Sequence, residues 1–334
     1  MRSNMILSIC ILIGLCALTQ SAFADYRDNI DRTFKVHEGG TLVIESDLGS
    51  IAVTTSRNET VTLRIIREID SNRKSTIENV LDNLDISIEQ RGDDVMIRTE
   101  YDWDRWGFFS WMFNGGNRLK LTYEVEIPER YNIDLKTAGG KITVEDLDGR
   151  ADCRTSGGSI SLQSISGPVT AKTSGGSISV QDVGGDADLE TSGGGIEVGD
   201  VAGDVQAHTS GGSILIERSN GTVSAKTSGG GITVNEVSGG IEAKTSGGGI
   251  KAYLSQQPTD DCQLTTSGGS ITVYLNPECS FTVNARTSGG GVSTDLPVTI
   301  TGELERNRLS ADINGGGPEL YLRTSGGGIH LREK

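Results

Sequence analysis

Residues 173–190 read TSGGSISVQDVGGDADLE, and residues 191–208 read TSGGGIEVGDVAGDVQAH. The motif Thr-Ser-Gly-Gly recurs at intervals of 18 residues, beginning at Thr155, Thr173, Thr191, Thr209, Thr227 and Thr245. A Thr-Ala-Gly-Gly variant lies one period earlier, and later copies follow at longer spacings, at Thr266, Thr287 and Thr324. A fixed period of this kind predicts a stack of repeated structural units.

Each period contains two short runs in which apolar and polar residues alternate. In residues 173–190 the first run is Ile178-x-Val180 and the second is Ala187-x-Leu189. A period of two is typical of half-buried strands. A single glycine separates the runs and recurs at Gly149, Gly167, Gly185, Gly203, Gly221 and Gly239. The sequence therefore predicts an all-β, single-chain β-solenoid, similar to a β-helix or β-roll, whose 18-residue coils hold two strands each.

Glycines are expected at both corners of a coil, for one of two reasons. Such a corner needs either a positive φ or a close approach of one backbone to the next. One coil buries too little apolar surface to fold alone, so its stability must come from its neighbours.

The N-terminal part of the chain is less regular. Residues 41–54 resemble an early coil, while residues 61–66 and 95–97 read as further strands. Ser75 and Glu78 form a capping-box pattern that predicts the start of a short helix over about residues 75–84. We expect this helix to cover the N-terminal end of the stack through its apolar face, formed by Ile77, Val80, Leu81 and Leu84.

The predicted domain organisation has three parts. Residues 1–24 are a signal peptide that is cleaved, residues 25–135 form a β-rich head, and residues 136–334 form the solenoid of Thr-Ser-Gly-Gly repeats.

The first 24 residues carry the pattern of a signal peptide. Arg2 provides a positive start, residues 6–17 are apolar, and Ala22-Phe23-Ala24 matches a signal-peptidase site. Cleavage there leaves Asp25 as the first residue. We therefore expect an exported protein that resides in the periplasm or at the cell surface.

Charge and side-chain chemistry limit the classes of function. The formal net charge of −15 disfavours nucleic acid as a partner, because that affinity depends on neutralising phosphates. The three histidines, His37, His208 and His330, are far apart in sequence and match no metal or catalytic spacing. No cofactor motif is present, and we expect a protein that is not an enzyme.

The aromatic residues concentrate in one segment, a predicted loop over residues 101–113. It holds Trp103, Trp106, Phe108, Phe109, Trp111 and Phe113. One interpretation is a hydrophobic flap that closes the core of the head. The other is an exposed patch that contacts a partner or a membrane interface, where tryptophan is favoured.

Charged side chains form columns at equivalent positions of successive coils. The acidic columns are Asp182 with Asp200 and Asp186 with Asp204. Stacked carboxylates about 5 Å apart repel one another, and Ca²⁺ could relieve that repulsion. The alternative, which the pattern favours, is a solvated acidic edge. The basic column, formed by Arg154, Lys172, Lys226 and Lys244, is expected to be a solvated face.

The threonine column and the cysteines each allow two interpretations. The threonines could present a hydroxyl array to ice, but only one recurs per corner, which favours a ladder of hydroxyls that caps the turns. Of the cysteines that remain after cleavage, Cys262 and Cys279 lie about one coil apart and could form a disulfide, since export permits one. Separate buried thiols are the alternative.

Several segments resemble a known family. Ile127-Pro128, residues 133–137 and residues 140–144 resemble the core of the bacterial “putative adhesin” β-strand-repeat family, also called toast-rack domains. Residues 315–317 and 324–329 resemble the end of that fold. The resemblance implies a β-solenoid and a role in the cell envelope, either as an adhesin-like module or as a sensor or scaffold in envelope stress.

Taken with the export signal, these features predict a non-catalytic cell-envelope protein that acts as an adhesin-like binding or scaffolding module. Its partner would be an envelope protein or a surface ligand, with peripheral membrane contact through the aromatic loop. The alternative is an accessory or sensor protein of the envelope stress response that acts on a membrane partner. A polysaccharide-active enzyme is the third and least favoured alternative.

Overall fold

A computed structural model of the chain describes residues 26–102 and 119–334, and describes only the backbone at residues 303 and 304. The predicted signal peptide, residues 1–24, and the aromatic residues from Trp103 to Phe113 lie outside the described residues. The described part forms 29 strands and one helix. This composition confirms the predicted all-β class.

The N-terminal third holds the less regular elements. They are β1 (Tyr26–Lys35), β2 (Thr41–Ser46), β3 (Ser50–Ser56), β4 (Thr60–Ile69), α1 (Lys74–Asp82), β5 (Leu84–Arg91), β6 (Asp94–Tyr101) and β7 (Leu119–Pro128). The regular repeats follow as β8 (Asn132–Thr137), β9 (Ile142–Leu147), β10 (Ala151–Thr155), β11 (Ile160–Ile165), β12 (Val169–Thr173), β13 (Ile178–Val183), β14 (Ala187–Thr191), β15 (Ile196–Val201), β16 (Val205–Thr209), β17 (Ile214–Ser219), β18 (Val223–Lys226), β19 (Ile232–Val237), β20 (Ile241–Thr245) and β21 (Ile250–Leu254). The C-terminal elements are β22 (Cys262–Thr266), β23 (Ile271–Leu275), β24 (Phe281–Thr287), β25 (Val292–Thr294), β26 (Thr299–Glu305), β27 (Arg308–Ile313), β28 (Glu319–Thr324) and β29 (Ile329–Glu333).

Two long sheets form the solenoid. Within residues 26–102 and 119–334, the first sheet has 14 strands in the order β1-β4-β7-β3-β9-β11-β13-β15-β17-β19-β21-β23-β29-β25. The second has 15 strands in the order β26-β27-β24-β28-β22-β20-β18-β16-β14-β12-β10-β8-β2-β6-β5. Each regular coil gives one strand to each sheet, as the two apolar runs predict. Successive coils pair in parallel at an offset of one period, so Ile178 lies beside Ile196.

The core lies between the sheets and is lined by the alternating apolar residues. In β13 and β14 the side chains of Ile178, Val180, Ala187 and Leu189 are buried, while their polar neighbours are not. One continuous cluster of buried side chains contains residues of both sheets from the N-terminal to the C-terminal coils. Stacking therefore supplies the burial that a single coil lacks.

The threonine column forms the predicted hydroxyl ladder. Each Thr Oγ1 donates to a glycine carbonyl of the neighbouring coil at 2.7–3.0 Å; the donors are Thr137, Thr155, Thr173, Thr191, Thr209, Thr227, Thr245, Thr266, Thr287 and Thr324. These threonines are 0–6% exposed. The hydroxyls cap turns inside the structure and are not available to an external surface.

The second glycine of each turn is required by close approach. A Cβ added at Gly158 would lie 1.9 Å from the carbonyl oxygen of Gly140, and the corresponding distances in the other repeats reach at most 2.4 Å. Positive φ values among the described glycines occur outside the Thr-Ser-Gly-Gly turns, at Gly39, Gly49, Gly92, Gly315 and Gly316. Of the two reasons expected from the sequence, close backbone approach is the one that applies.

The predicted helix is present but differs in its cap and its packing. It spans Lys74–Asp82 and ends before Leu84, which begins β5. Its N-cap is Arg73, and no side chain caps it, so the expected Ser75–Glu78 capping box is wrong. Val80 is its one buried residue, so most of the apolar face expected to cover the stack is not buried. The helix contacts β5, the outermost strand of the second sheet at the N-terminal end.

The predicted boundary between residues 135 and 136 does not separate two folding units. It falls inside β8, which pairs with β2 on one side and with β10 on the other. The two sheets and the core run across this position without interruption. The N-terminal region is therefore a continuation of the solenoid, because β2 and β3 stack on the first regular coil.

The C-terminal coils stack out of sequence order. The last coil, β28 and β29, lies between the coil of β22 and β23 and the coil of β24 and β25. Thr266 is thus a Cα partner of Thr324, and Thr324 is in turn a partner of Thr287. Beyond β24 the antiparallel strands β27 and β26 close the second sheet.

Candidate functional site

The aromatic contact candidates lie outside the described residues, and the structure locates only the strands on either side. The segment joins β6 to β7. Thr99 of β6 is a partner of Ser46, and Ser46 is a partner of Thr137, so Thr99 belongs to the threonine column. In the chain, residues 103–113 therefore follow a strand that ends in the threonine column, as the Ser-Gly-Gly residues do in the regular repeats.

The first acidic column borders an open groove of about 540 Å³. Asp182 and Asp200 are Cα partners in adjacent strands. The Arg218 guanidinium contacts the Asp200 carboxylate at 3.1 Å and the Glu236 carboxylate at 3.1 Å. Asp182 has no ion pair with any described residue. Arg218 thus offsets the repulsion at Asp200, one of the two candidate calcium ligands in this column.

The second acidic column is used by the turns. Asp186 Oδ1 accepts a hydrogen bond from the backbone N–H of Asp204 at 2.9 Å, and Asp204 Oδ1 accepts one from the N–H of Thr222 at 2.7 Å. Each carboxylate therefore caps the next coil. Within residues 26–102 and 119–334, no group of three or more His, Cys, Asp or Glu side chains is arranged to hold a metal ion.

Two neighbouring carboxylates, Asp134 and Asp152, lie on the second sheet. Burial and the neighbouring carboxylate of Asp152 raise the pKa of Asp134. Asp152 is itself buried, and Arg154 contacts its Oδ2 at 2.9 Å and Asp134 Oδ1 at 3.8 Å. The shared arginine makes this an ion-pair network on the outer face.

The cysteines of the described residues are free and buried. Cys262 and Cys279 are separate thiols in this structure, which is the alternative to a disulfide between them. Burial raises the pKa of Cys262 to about 12 and also raises the pKa of Cys279. The Cys262 thiol contacts the carbonyl of Asp260 at 3.9 Å.

The most distinctive surface feature is a row of cations on the outer face of the second sheet. All its members except Arg308 precede the threonine of a turn, one of these positions is Thr265, and they point outward because the alternate residues of each strand fill the core. From Lys226 onward the row runs across adjacent strands in the order Lys226, Lys244, Thr265, Arg323, Arg286 and Arg308. We call these six positions the cation row.

Three members of the cation row lack ion pairs within the described ranges, unlike Arg154 and Lys172 earlier in the same basic column. Arg154 and Lys172 contact carboxylates of their own or neighbouring strands. Lys226 contacts Glu242 at 2.8 Å, and this contact lowers the pKa of Glu242. Among the described residues, Lys244, Arg323 and Arg286 have no ion pair, and all three are exposed.

A parallel row of polar side chains lies next to the cation row on the same strands. Gln263, Tyr321 and Asn284 are successive Cα partners. Asn284 Nδ2 donates to Glu319 Oε1 at 3.4 Å, and Tyr321 is half-buried. The face thus combines positive charge, amide groups and one aromatic ring.

Sequence reasoning placed Lys226 and Lys244 in a basic column but did not include Arg286 and Arg323. The sequence does allow them to be included, since both precede the threonine of a Thr-Ser-Gly-Gly motif, as Lys226 and Lys244 do. The order in space was not readable, because the last coil inserts between two earlier ones. That insertion places Arg323 beside Arg286.

Comparison with solved structures finds distant matches over most of the chain. A “putative adhesin” from Parabacteroides distasonis has 12% identity and a TM-score of 0.43, with 92% of this chain and 97% of that chain covered. A “putative adhesin” from Bacteroides fragilis has 16% identity and a TM-score of 0.37, with 91% and 97% covered. A third, from Parabacteroides merdae, has 12% identity and a TM-score of 0.40, with 92% and 96% covered. These matches are too distant to carry an argument about function.

The other comparisons concern membrane segments, curated proteins and families. Over the described ranges no helix is both long and apolar enough to span a bilayer. A comparison with curated proteins finds no match. The family model Toastrack DUF4097 matches residues 49–332, which is most of the chain and crosses the predicted domain boundary. This chain therefore belongs to the Toastrack DUF4097 family.

Proposed function

We propose that this protein is a non-catalytic, exported binding module of the cell envelope, and that its cation row holds an acidic glycan. The proposal combines the predicted export signal with the outer face of the second sheet, where Lys244, Arg323 and Arg286 have no acidic partner among the described residues. It specifies the ligand of the adhesin-like module that the sequence predicts.

The observation that carries the proposal is the unpaired charge of Lys244, Arg323 and Arg286. The chain as a whole has a formal net charge of −15, and on the solenoid Arg154, Lys172 and Arg218 each contact a carboxylate. A run of cations without partners in an acidic protein creates a local positive potential that attracts an anionic ligand. Arginine favours carboxylate and phosphate groups in particular, because its planar fork donates two parallel hydrogen bonds.

The shape of the surface favours a linear polymer. The cation row crosses strands at right angles, so its side chains lie on a line parallel to the solenoid axis. From Lys226 to Arg286 the row crosses four strand spacings, which is roughly 19 Å at about 4.8 Å per strand. Thr265 leaves a gap between Lys244 and Arg323. An extended chain with regularly placed anions matches this arrangement better than a small ligand does.

The neighbouring polar row favours a glycan among linear polyanions. The amides of Gln263 and Asn284 can bond to sugar hydroxyls, and the ring of Tyr321 can pack against the apolar face of a sugar ring.

The export signal supports the location. Arg2, the apolar residues 6–17 and Ala22-Phe23-Ala24 predict delivery to the periplasm or the cell surface, where acidic glycans occur. Contact of the aromatic segment with a membrane or an envelope protein is a separate proposal. Flotation of the protein with isolated envelopes, beside a variant in which Trp103, Trp106 and Trp111 are replaced by Ala, tests it.

Binding to labelled polygalacturonate, followed by fluorescence anisotropy, tests the glycan proposal. The triple variant Lys244→Glu, Arg286→Glu, Arg323→Glu is compared with a control triple variant, Arg57→Glu, Lys141→Glu, Lys251→Glu. Both variants change the net charge equally, and the control sites are exposed and outside the cation row.

We expect the first variant to bind at least about tenfold more weakly than the wild type, because three charge-assisted contacts are reversed, and the control to bind within about twofold. Equal weakening in both variants, or equal binding of neutral dextran, contradicts the proposal. Binding of phosphatidylglycerol vesicles or of single-stranded DNA in preference to polygalacturonate identifies a different polyanion and also contradicts it.

A further inference from the structure

The four strands at the sheet ends differ in how well they are protected from pairing with another chain. Exposed strand edges invite such pairing, and proteins usually shorten, bend or cover them. At the C-terminal end, β25 has three residues, and the register of β26 is broken by an irregularity between Ile300 and Leu304. At the N-terminal end, β5 contacts α1.

Strand β1 has none of these protections among the described residues. It has ten residues that pair with β4 in one uninterrupted antiparallel register, from Tyr26 with Ile69 to Lys35 with Thr60. The first sheet also extends further than the second at this end. Four strands lie beyond β9 in the first sheet, whereas three lie beyond β8 in the second. Among the described strands β1 is therefore the outermost at this end, and one of its edges is unpaired.

One face of β1 continues the hydrophobic core without closing it. Ile30 and Phe34 are partly buried and pack against the core cluster. Their partners in β4, Ile65 and Val61, are completely buried. The apolar side chains of β1 are thus covered on the β4 side and exposed on the other, where another strand would complete their burial.

We propose that β1 pairs antiparallel with β1 of a second copy of this chain, with the two-fold axis at Ile30. In this register Ile30 lies opposite Ile30, Asp28 opposite Arg32, and Tyr26 opposite Phe34. Each pair is complementary, and all three lie on the core face. The same patch is used by both copies, as a closed two-fold dimer requires.

Neighbouring symmetric registers are less favourable. Centring the pairing on Asp31 places Asp31 opposite Asp31 and Arg27 opposite Lys35, and like charges directly opposite each other destabilise a sheet. Centring it on Asn29 places Asp28 opposite Ile30, which pairs a carboxylate with an apolar side chain. Sliding one strand past the other by one residue, or by any odd number of residues, places the core face of one copy beside the outer face of the other.

The contacts within one chain leave Asp28 and Arg32 able to pair between two copies. Arg67 donates to both oxygens of Asp28 at 2.8 and 2.5 Å, and the Tyr26 hydroxyl donates to the same carboxylate at 2.8 Å. A carboxylate accepts about four hydrogen bonds, so it can accept one more. Arg32 has no ion pair with a described residue and donates to the carbonyl of Asp31 at 2.9 Å. Arg32 of a second copy is therefore free to complete the set around Asp28.

Sedimentation velocity of the protein at a series of concentrations measures the association. We expect a reversible dimer, and we expect Arg32→Asp to weaken its dissociation constant by about tenfold or more, since two attractive pairs become repulsive. Lys141→Asp makes the same charge change several strands away and should leave the dimer unchanged. A wild type that stays monomeric at its highest soluble concentration overturns the proposal, as does equal weakening by both variants.

Cysteine cross-linking tests the register with a substitution that keeps the strand. Under mild oxidation Ile30→Cys should form a covalent dimer, because the two-fold axis places it opposite itself, while Asn29→Cys alone should not. A mixture of Asn29→Cys and Asp31→Cys proteins should cross-link with each other. Cross-linking of Asn29→Cys as fast as Ile30→Cys contradicts the register. The native cysteines of the described residues are buried and do not compete.

Discussion

Thr266 and Thr324 are direct cross-strand partners in the parallel strands β22 and β28. The Thr324 hydroxyl donates to the carbonyl of Gly269 at 2.7 Å, and the Thr287 hydroxyl donates to the carbonyl of Gly327 at 2.7 Å. The last coil of the chain therefore occupies the place next to last in the stack. This order brings Arg323 and Arg286 together on the outer face.

Paired cysteines test the stacking order. Gln263 and Tyr321 are Cα partners on the outer face, whereas Gln263 and Asn284 are separated by the strand of Tyr321. Gln263→Cys with Tyr321→Cys should form an intramolecular disulfide, measured by mass spectrometry of proteolytic fragments. Gln263→Cys with Asn284→Cys should not, because two strand spacings of about 4.8 Å exceed the reach of a disulfide. The reverse result indicates that the coils stack in sequence order.

The threonine ladder should contribute measurably to stability. Thr209 is 0% exposed and its Oγ1 donates to the carbonyl of Gly194 at 2.8 Å. Thr209→Val keeps the shape but leaves that carbonyl without its partner, which we expect to cost about 1–3 kcal/mol in the free energy of unfolding. Thr54→Val on the exposed face of β3 is the control and should change it by less than about 0.5 kcal/mol. Urea denaturation measures both, and equal effects contradict the account of the ladder.

The two glycines of one turn should differ in their tolerance of alanine. A Cβ at Gly158 would lie 1.9 Å from the carbonyl oxygen of Gly140, whereas a Cβ at Gly157 would be no closer than 3.7 Å to its neighbours. Gly158→Ala must push two coils apart, with an expected loss of about 3 kcal/mol or more, while Gly157→Ala should change stability by less than about 1 kcal/mol. Thermal unfolding followed by circular dichroism compares them, and similar melting temperatures would show that close approach does not require the second glycine.

A histidine–aspartate contact at the N-terminal end should depend on pH. His37 Nδ1 lies 2.9 Å from Asp93 Oδ1, which raises the pKa of His37, and Asp93 Oδ1 also accepts the backbone N–H of His37, which lowers the pKa of Asp93. The protonated His37 is favoured in the folded state. Its contribution to stability is therefore complete below its unfolded pKa of about 6.5 and is lost as pH rises through the higher folded value.

NMR titration of the His37 ring measures this shift. We expect a pKa above about 6.5 in the wild type and a return towards that value in Asp93→Asn. His208, which has no ion pair with a described residue, serves as the internal reference in both proteins. If the pKa of His37 is the same in Asp93→Asn as in the wild type, the contact with Asp93 is not the cause of its raised pKa.

The repeat made the fold of the regular coils predictable. A period of 18 residues with alternating Ile-x-Val and Ala-x-Leu runs determines two strands per coil, and the buried threonine of each turn follows from its constant place in that period. The aromatic contact candidates from Trp103 to Phe113 remain a sequence prediction, because they lie outside the described residues. The capping box at Ser75 failed because the helix begins at Lys74 with Arg73 as its N-cap, so Ser75 lies inside the first turn.

The cation row could be predicted only in part, for a physical reason. Every Thr-Ser-Gly-Gly coil offers the same register to any other coil, so the sequence does not specify which coils are neighbours. β27 pairs antiparallel with β24 and occupies one of its edges. The last coil then pairs with the remaining edge of β24 and with β22, and this choice depends on tertiary packing.

The most direct test of the proposed binding function compares two arginines of the last coil that lie on opposite sheets. Arg323 belongs to the cation row, whereas Arg332 contacts Asp295 at 2.6 Å on the first sheet. We expect Arg323→Gln to raise the dissociation constant for polygalacturonate by about tenfold, and Arg332→Gln to change it by less than about twofold. If both substitutions weaken binding equally, or if Arg323→Gln has no effect, the cation row is not the binding surface.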